Sequence, residues 1–142
     1  QRLLPESNAA CFFLAEGSAL IPPDRFDRAD MLRWMFFEQY NHEPNIATLR
    51  FWLAYIGEAG LTEQQRAQIP AKRIAGEDAL AQMERKLTCR AWFVSNSCTL
   101  ADISLYAYTH VAEAGGFRLH DYRNVCAWID RIAALPGYVA MD

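Results

Sequence analysis

A chain of 142 residues, 52% apolar and 22% charged, has the composition of one globular domain able to bury a core. Its formal net charge of −3, with basic residues spread along the chain, offers no footprint for nucleic acid or an anionic membrane surface. No apolar run approaches the roughly 20 residues of a membrane span.

The opening "QRLLPES" carries one basic residue and no long apolar stretch, which argues against a signal peptide, and it lacks an initiator methionine, so the natural protein is expected to begin further upstream. Pro5, Glu6 and Ser7 read as a helix start and cap, with Gly17 as the stop. "SALIPPDRFD" is a linker, because consecutive prolines cannot continue a helix. From Asp27 a helical pattern begins, with Met31, Leu32, Met35, Phe36 and Tyr40 at three- and four-residue spacing. Pro44 either kinks one long helix or occupies the first turn of a second, and the pattern resumes to Gly57.

Thr62 and Gln65 form a capping-box pattern, and Pro70 is expected to restart the chain into "AKRIAGEDALAQMERKL". There Gly76, Leu80, Met83 and Leu87 share a face, and Gly76 predicts a close helix neighbour. In "SCTLADISLYAYTHVAEAGG" the Thr99 oxygen can accept from the Asp102 N–H while Asp102 reaches back to the Thr99 N–H. Cys98 and Ile103 then stand at hydrophobic-staple positions, and Ile103, Tyr106, Ala107, His110, Val111 and Ala114 form the predicted inner face. Val125, Trp128, Ile129 and Ile132 face inward on the last helix, ended by Pro136-Gly137. No strand-like alternation occurs, so the expected fold is an all-α bundle of five to seven helices.

No standard catalytic motif is present. The four cysteines, Cys11, Cys89, Cys98 and Cys126, include no C-x-x-C pair and lie far from the three histidines, so no metal site is expected. They read as reduced thiols of a cytoplasmic protein. Cys98, just ahead of a helix, comes nearest to a reactive thiol, but its staple position explains it. His110 reads as a core histidine bonded to backbone, Asp102 as a structural cap partner, and His42 beside Glu43 as a solvated helix end. His120 and Asp121 sit in a loop with less to recommend them. The aromatic residues Trp34, Phe36, Phe37, Tyr40, Phe51, Trp52 and Tyr55 cannot all share one face, which leaves either a wide core or an apolar wall for a ligand or partner.

Three segments in order resemble the cytosolic glutathione transferase family: "ESNAACFFLAE", "TLADISLYAY" and "NVCAWIDRIAALPGY". They resemble, respectively, the start of the last helix of its thioredoxin-like domain, the capped helix of its helical domain, and its C-terminal ending. Arg123 before "NV", Cys11 with Phe12, and the loop "SNSC" depart from the family pattern. The resemblance implies that residues 1–17 are the last helix of an otherwise absent thioredoxin-like domain and residues 18–142 the helical domain. It also implies a homodimer that uses glutathione as substrate, with Glu6 and Ser7 holding the γ-glutamyl end and Tyr40 and Asn41 near the pocket for a small electrophile. The family's catalytic tyrosine, serine or cysteine would lie upstream of Gln1, so these 142 residues alone are expected to be inactive. A non-catalytic dimerisation or scaffold module, and a small helical ligand carrier, are the alternative readings.

Overall fold

The computed structural model describes residues 2–140, and every regular element among them is helical. Six α-helices carry the chain: α1 (Ser7–Leu14), α2 (Arg25–Phe37), α3 (Glu43–Arg50), α4 (Glu63–Leu87), α5 (Leu100–Thr109) and α6 (Arg123–Ala133). Helix α2 starts two residues before its apolar pattern does. The cause is Asp24, whose Oδ1 accepts the N–H groups of Phe26 and Asp27, both at 2.9 Å.

From the start of α2 to Ile56 the chain never leaves helical geometry, and Gly57, at φ 77° and ψ 150°, ends the run. A π-helical turn, Glu38–His42, leads into α3, and a second, Phe51–Ile56, leads out to Gly57. Pro44 falls in the first turn of α3. The widened turn before it shifts the carbonyl that the proline ring would otherwise strike.

The expectation that Pro70 restarts the chain is not met, because α4 runs 25 residues straight through it. Pro70 is exposed, so the carbonyl that loses its partner can turn to water. The buried stretch from Gly76 to Leu87 anchors this helix, and the Thr62–Gln65 capping box forms at its start. Gly76 does face a close helix neighbour, α3, and an aromatic ring closer still. An added Cβ would lie 2.5 Å from the Phe117 ring and 3.3 Å from Ile46 Cγ1 of α3.

Phe93, in the loop before α5, is fully buried between Trp34 of α2 and Trp128 of α6, with ring centroids at 4.7 and 5.2 Å. Val125, Trp128 and Ile132 line the inner face of α6 as their spacing predicts, with Ile129 half-buried. The predicted face of α5 needs correction. Ile103 is exposed at 39%, Ala114 is exposed, and the buried set is Leu100, Ala101, Asp102, Ser104, Leu105, Tyr106 and Thr109. Helix α5 packs against α1, α2, α3 and α6. A helix so surrounded is apolar almost all round, and its periodicity cannot say which side meets solvent.

Candidate functional site

Helix α1 starts in an unusual way. Glu6 occupies the N-cap position with φ 73° and ψ 118°, a backbone conformation uncommon outside glycine, and no side chain caps the helix. The cap reading of Ser7 is therefore corrected: Ser7 is the first helical residue, exposed, and its side chain has no hydrogen-bond partner among the described residues. The first backbone bond of the helix runs from the Ala10 N–H to the Glu6 carbonyl. The N–H groups ahead of it are left over, with the positive end of the helix dipole behind them. The Glu6 carboxylate is also exposed and has no ion-pair partner among the described residues.

This open end is held rigidly by the residue that follows. The Asn8 amide donates to the Met35 carbonyl at 3.2 Å and to Glu38 Oε2 at 3.0 Å, and its oxygen accepts from Ser104 Oγ at 2.6 Å. One side chain so fastens α1 to α2 and α5. Glu38 is buried, and desolvation raises its carboxyl above the ordinary range, against the donors Gln39 and Asn8 that favour the anion. Beside the tie lies a groove of about 440 Å³, walled by Glu6, Asn8, Phe12, Met35, Phe36 and Gln39.

The start of α5 is the reverse. Asp102 is fully buried and accepts four hydrogen bonds: from the Thr99 N–H (2.9 Å), Thr99 Oγ1 (3.0 Å), the Phe93 N–H (3.2 Å) and Trp128 Nε1 (2.9 Å). Burial raises its carboxyl, opposed by these same donors. Asp102 reaches back to the Thr99 N–H as expected, but the Thr99 hydroxyl donates to Asp102, whose own N–H bonds the Thr99 carbonyl. Cys98 beside it is pushed up to about 12 by burial and then by Asp102, so its thiol stays protonated.

His42 is not a solvated helix end. It is fully buried, its Nε2–H donating at 2.8 Å to Thr109 Oγ1, whose own proton goes to the Leu105 carbonyl at 2.6 Å. Desolvation lowers its pKa to about 3 and keeps the ring neutral. The π turn at Glu38–His42 rotates this residue inward, which α-helical spacing did not foretell. His110 is a backbone-bonded histidine as predicted, with Nδ1 2.7 Å from the Tyr106 carbonyl and its ring stacked on Tyr106 at 4.5 Å. His120 and Asp121 are exposed in their loop.

The aromatic residues divide between core and surface. Trp34 and Phe37 are buried, whereas Phe36, Tyr40, Phe51 and Tyr55 are between 56% and 83% exposed. A second cleft, of about 500 Å³, is walled by Glu43, Arg50, Phe51, Trp52, Tyr55 and, from α5, Tyr108. Burial, with Glu43 and Glu38 adding, raises the Tyr108 phenol, so it stands as a neutral hydroxyl. Tyr40 and Asn41 are exposed and lie in sequence between Gln39, the last helix residue of the groove, and Glu43, the first of the cleft. Asn8, Glu38, Ser104 and Arg50 were not singled out from sequence. A lone serine on the apolar stretch "ISLYAY" was the one available signal.

The all-helical fold matches that of a glutathione transferase C-terminal domain. Residues 34–136 match the model of the family described as glutathione S-transferase, C-terminal domain, and the chain belongs to that family. It is 42% identical to a solved glutathione S-transferase from Xanthobacter autotrophicus Py2, with a TM-score of 0.90 over 96% of this chain and 65% of that one. A solved glutathione S-transferase from Pseudomonas fluorescens is 43% identical, also with a TM-score of 0.90, over 96% of this chain and 67% of that one. The glutathione S-transferase-like protein LUC7 of Fusarium sp. is 28% identical over 135 residues, which are 89% of this chain and 58% of the relative.

Proposed function

We propose that this chain is the helical part of a glutathione transferase that joins the glutathione thiolate to small electrophiles, and that Glu6 and Ser7 hold the γ-glutamyl end of glutathione. The observation that carries the reading is the start of α1. A glutamate kept at φ 73° with a carboxylate unpartnered among the described residues, ahead of N–H groups that no side chain among them caps, is strain and lost hydrogen bonding without return from those residues. A ligand carrying both an ammonium and a carboxylate supplies that return. The carboxylate takes the free N–H groups and the Ser7 hydroxyl, and the ammonium pairs with Glu6. Asn8 keeps these groups in register with the bundle.

In the reaction the glutathione thiol gives up its proton, the sulfur forms a bond to an electrophilic carbon, and the displaced group leaves with its bonding electrons. The group that lowers the thiol pKa lies, on this reading, outside the 142 residues, in a thioredoxin-like half of which residues 1–17 are the last helix. These 142 residues by themselves therefore give no conjugation. Tyr40 and Asn41, both exposed and falling in sequence between the linings of groove and cleft, would stand near the electrophile. Phe13 and Leu14, exposed on α1, fit a homodimer whose subunits cover them. Four unpaired cysteines fit a cytoplasmic setting.

The test is retention of the full-length protein on immobilised glutathione. Wild type is retained, and Glu6→Ala and Ser7→Ala each flow through while keeping the wild-type circular dichroism spectrum. Equal retention of all three removes the assignment.

A further inference from the structure

The π-helical turn Glu38–His42 carries Tyr40 and Asn41, and its own backbone holds it weakly. The Glu43 N–H reaches back five residues to the Glu38 carbonyl, and Pro44 has no N–H to offer the Tyr40 carbonyl. His42 stands at φ −94° and ψ −66°, outside the usual spread of helical values. The Asn41 carbonyl is met by a side chain, the Asn45 amide at 2.7 Å. Such a turn is fixed by its two buried ends.

At one end Asn8 and Gln39 donate to Glu38. The other end is held across the bundle. The bond from His42 to Thr109 Oγ1, at 2.8 Å, is the one hydrogen bond between the turn and α5 among the described residues. Thr109 is fully buried and gives its own proton to the Leu105 carbonyl, so α5 offers a fixed acceptor.

An imidazole is a costly way to fill this place. His42 is fully buried, its Nδ1 has no partner among the described residues, and burial keeps the ring neutral. Leucine or phenylalanine would fill the core without stripping water from two ring nitrogens. What an apolar residue lacks is the Nε2–H, the group that joins the turn to α5.

We infer that His42 is a positioning residue: through Thr109 it sets the place of the turn that presents Tyr40 and Asn41. Tyr40 is 83% exposed and Asn41 is exposed, so packing holds neither side chain. Any part in the reaction rests on the transferase reading, in which these two residues stand near the electrophile. The pin itself does not rest on it.

The test uses the full-length protein with three substitutions. His42→Phe fills the site but cannot donate, Thr109→Val removes the acceptor, and His42→Gln offers an amide nitrogen in place of Nε2. Amide hydrogen exchange reads the pin without any reaction. His42→Phe and Thr109→Val speed exchange at residues 40–43 at least about tenfold more than across α6, and His42→Gln keeps the wild-type ratio. Steady-state conjugation of 1-chloro-2,4-dinitrobenzene reads the role. In both disrupting variants the KM for this electrophile rises about five- to tenfold, while the KM for glutathione stays within about twofold. Equal acceleration of the turn and α6, or none, overturns the inference, as do two KM values that move together or not at all. Thr109→Val leaves His42 in place, so a His42→Phe that unfolds the chain does not shelter the inference. A full-length protein that conjugates nothing removes the transferase reading, and the exchange comparison still decides the pin.

Discussion

Helices α1, at Glu6-Ser7, and α5, at Thr99 with Asp102, each begin with a hydroxyl residue close to a carboxylate. At α5 the pair is fully consumed. Asp102 takes both donors of Thr99 and two more from Phe93 and Trp128, all in the core. At α1 the same chemistry is left exposed, uncapped and strained at Glu6. The difference teaches that residue type near a helix start does not separate a structural cap from a ligand site. What separates them is whether the donors and acceptors are satisfied within the fold.

The comparison breaks first at Asp102. Asp102→Ala strands two backbone N–H groups and the Trp128 indole in the core, and should cost about 3–5 kcal/mol in denaturant unfolding, enough to lose the fold. A cost near that of a surface substitution would show that the α5 start is no more built in than that of α1.

The next effect comes from His42, and its sign follows from linkage. Its folded pKa, about 3, lies below the ordinary 6.5, so the unfolded chain takes up a proton that the folded chain refuses as pH falls through that window. The resulting loss is about 2 kcal/mol between pH 7 and pH 5. Glu38 and Asp102, whose carboxyls are raised, act in the opposite sense, gaining stability as pH falls through their raised pKa toward the ordinary carboxylate range. Thermal melts of wild type and His42→Gln at both pH values isolate the histidine. Its contribution is the part of the pH slope that the variant loses.

Smaller changes sharpen the picture at α1. Asn8→Ala removes the tie to Met35, Glu38 and Ser104 and leaves Glu38 short of a donor, for a loss of about 1–2 kcal/mol and weaker glutathione retention. Glu6→Gly should do the opposite to stability, raising it by about 1 kcal/mol through relief of the positive φ, while retention on glutathione is lost. Ser7→Ala should move stability by less than about 0.5 kcal/mol, since its side chain bonds to nothing here, and still abolish retention. Chemical denaturation and the glutathione column, run on the same preparations, read both quantities. A Ser7→Ala that unfolds the chain would return α1 to the class of ordinary caps.

Helical class, the Thr62 and Thr99 boxes and the inner face of α6 were legible in the sequence, because each rests on contacts a few residues apart. Spacing of three and four residues, and a hydroxyl three positions before its partner, are properties of one local helix. The order of "ESNAACFFLAE", "TLADISLYAY" and "NVCAWIDRIAALPGY" also carried the family. Tertiary structure alone decided matters that depend on what lies across a gap in the chain. Helix α5 buries more than one side because four helices surround it. Gly76 meets a ring from residue 117, and a π turn rotates His42 into the core. Pro70 stays helical because a buried stretch downstream holds α4 in place. Asn8 and Ser104 meet across 96 positions, and Arg50, Tyr55 and Tyr108 share a cleft by the same kind of distant approach. Side-chain contacts of that reach leave no period in the sequence, so only the packed bundle reveals them.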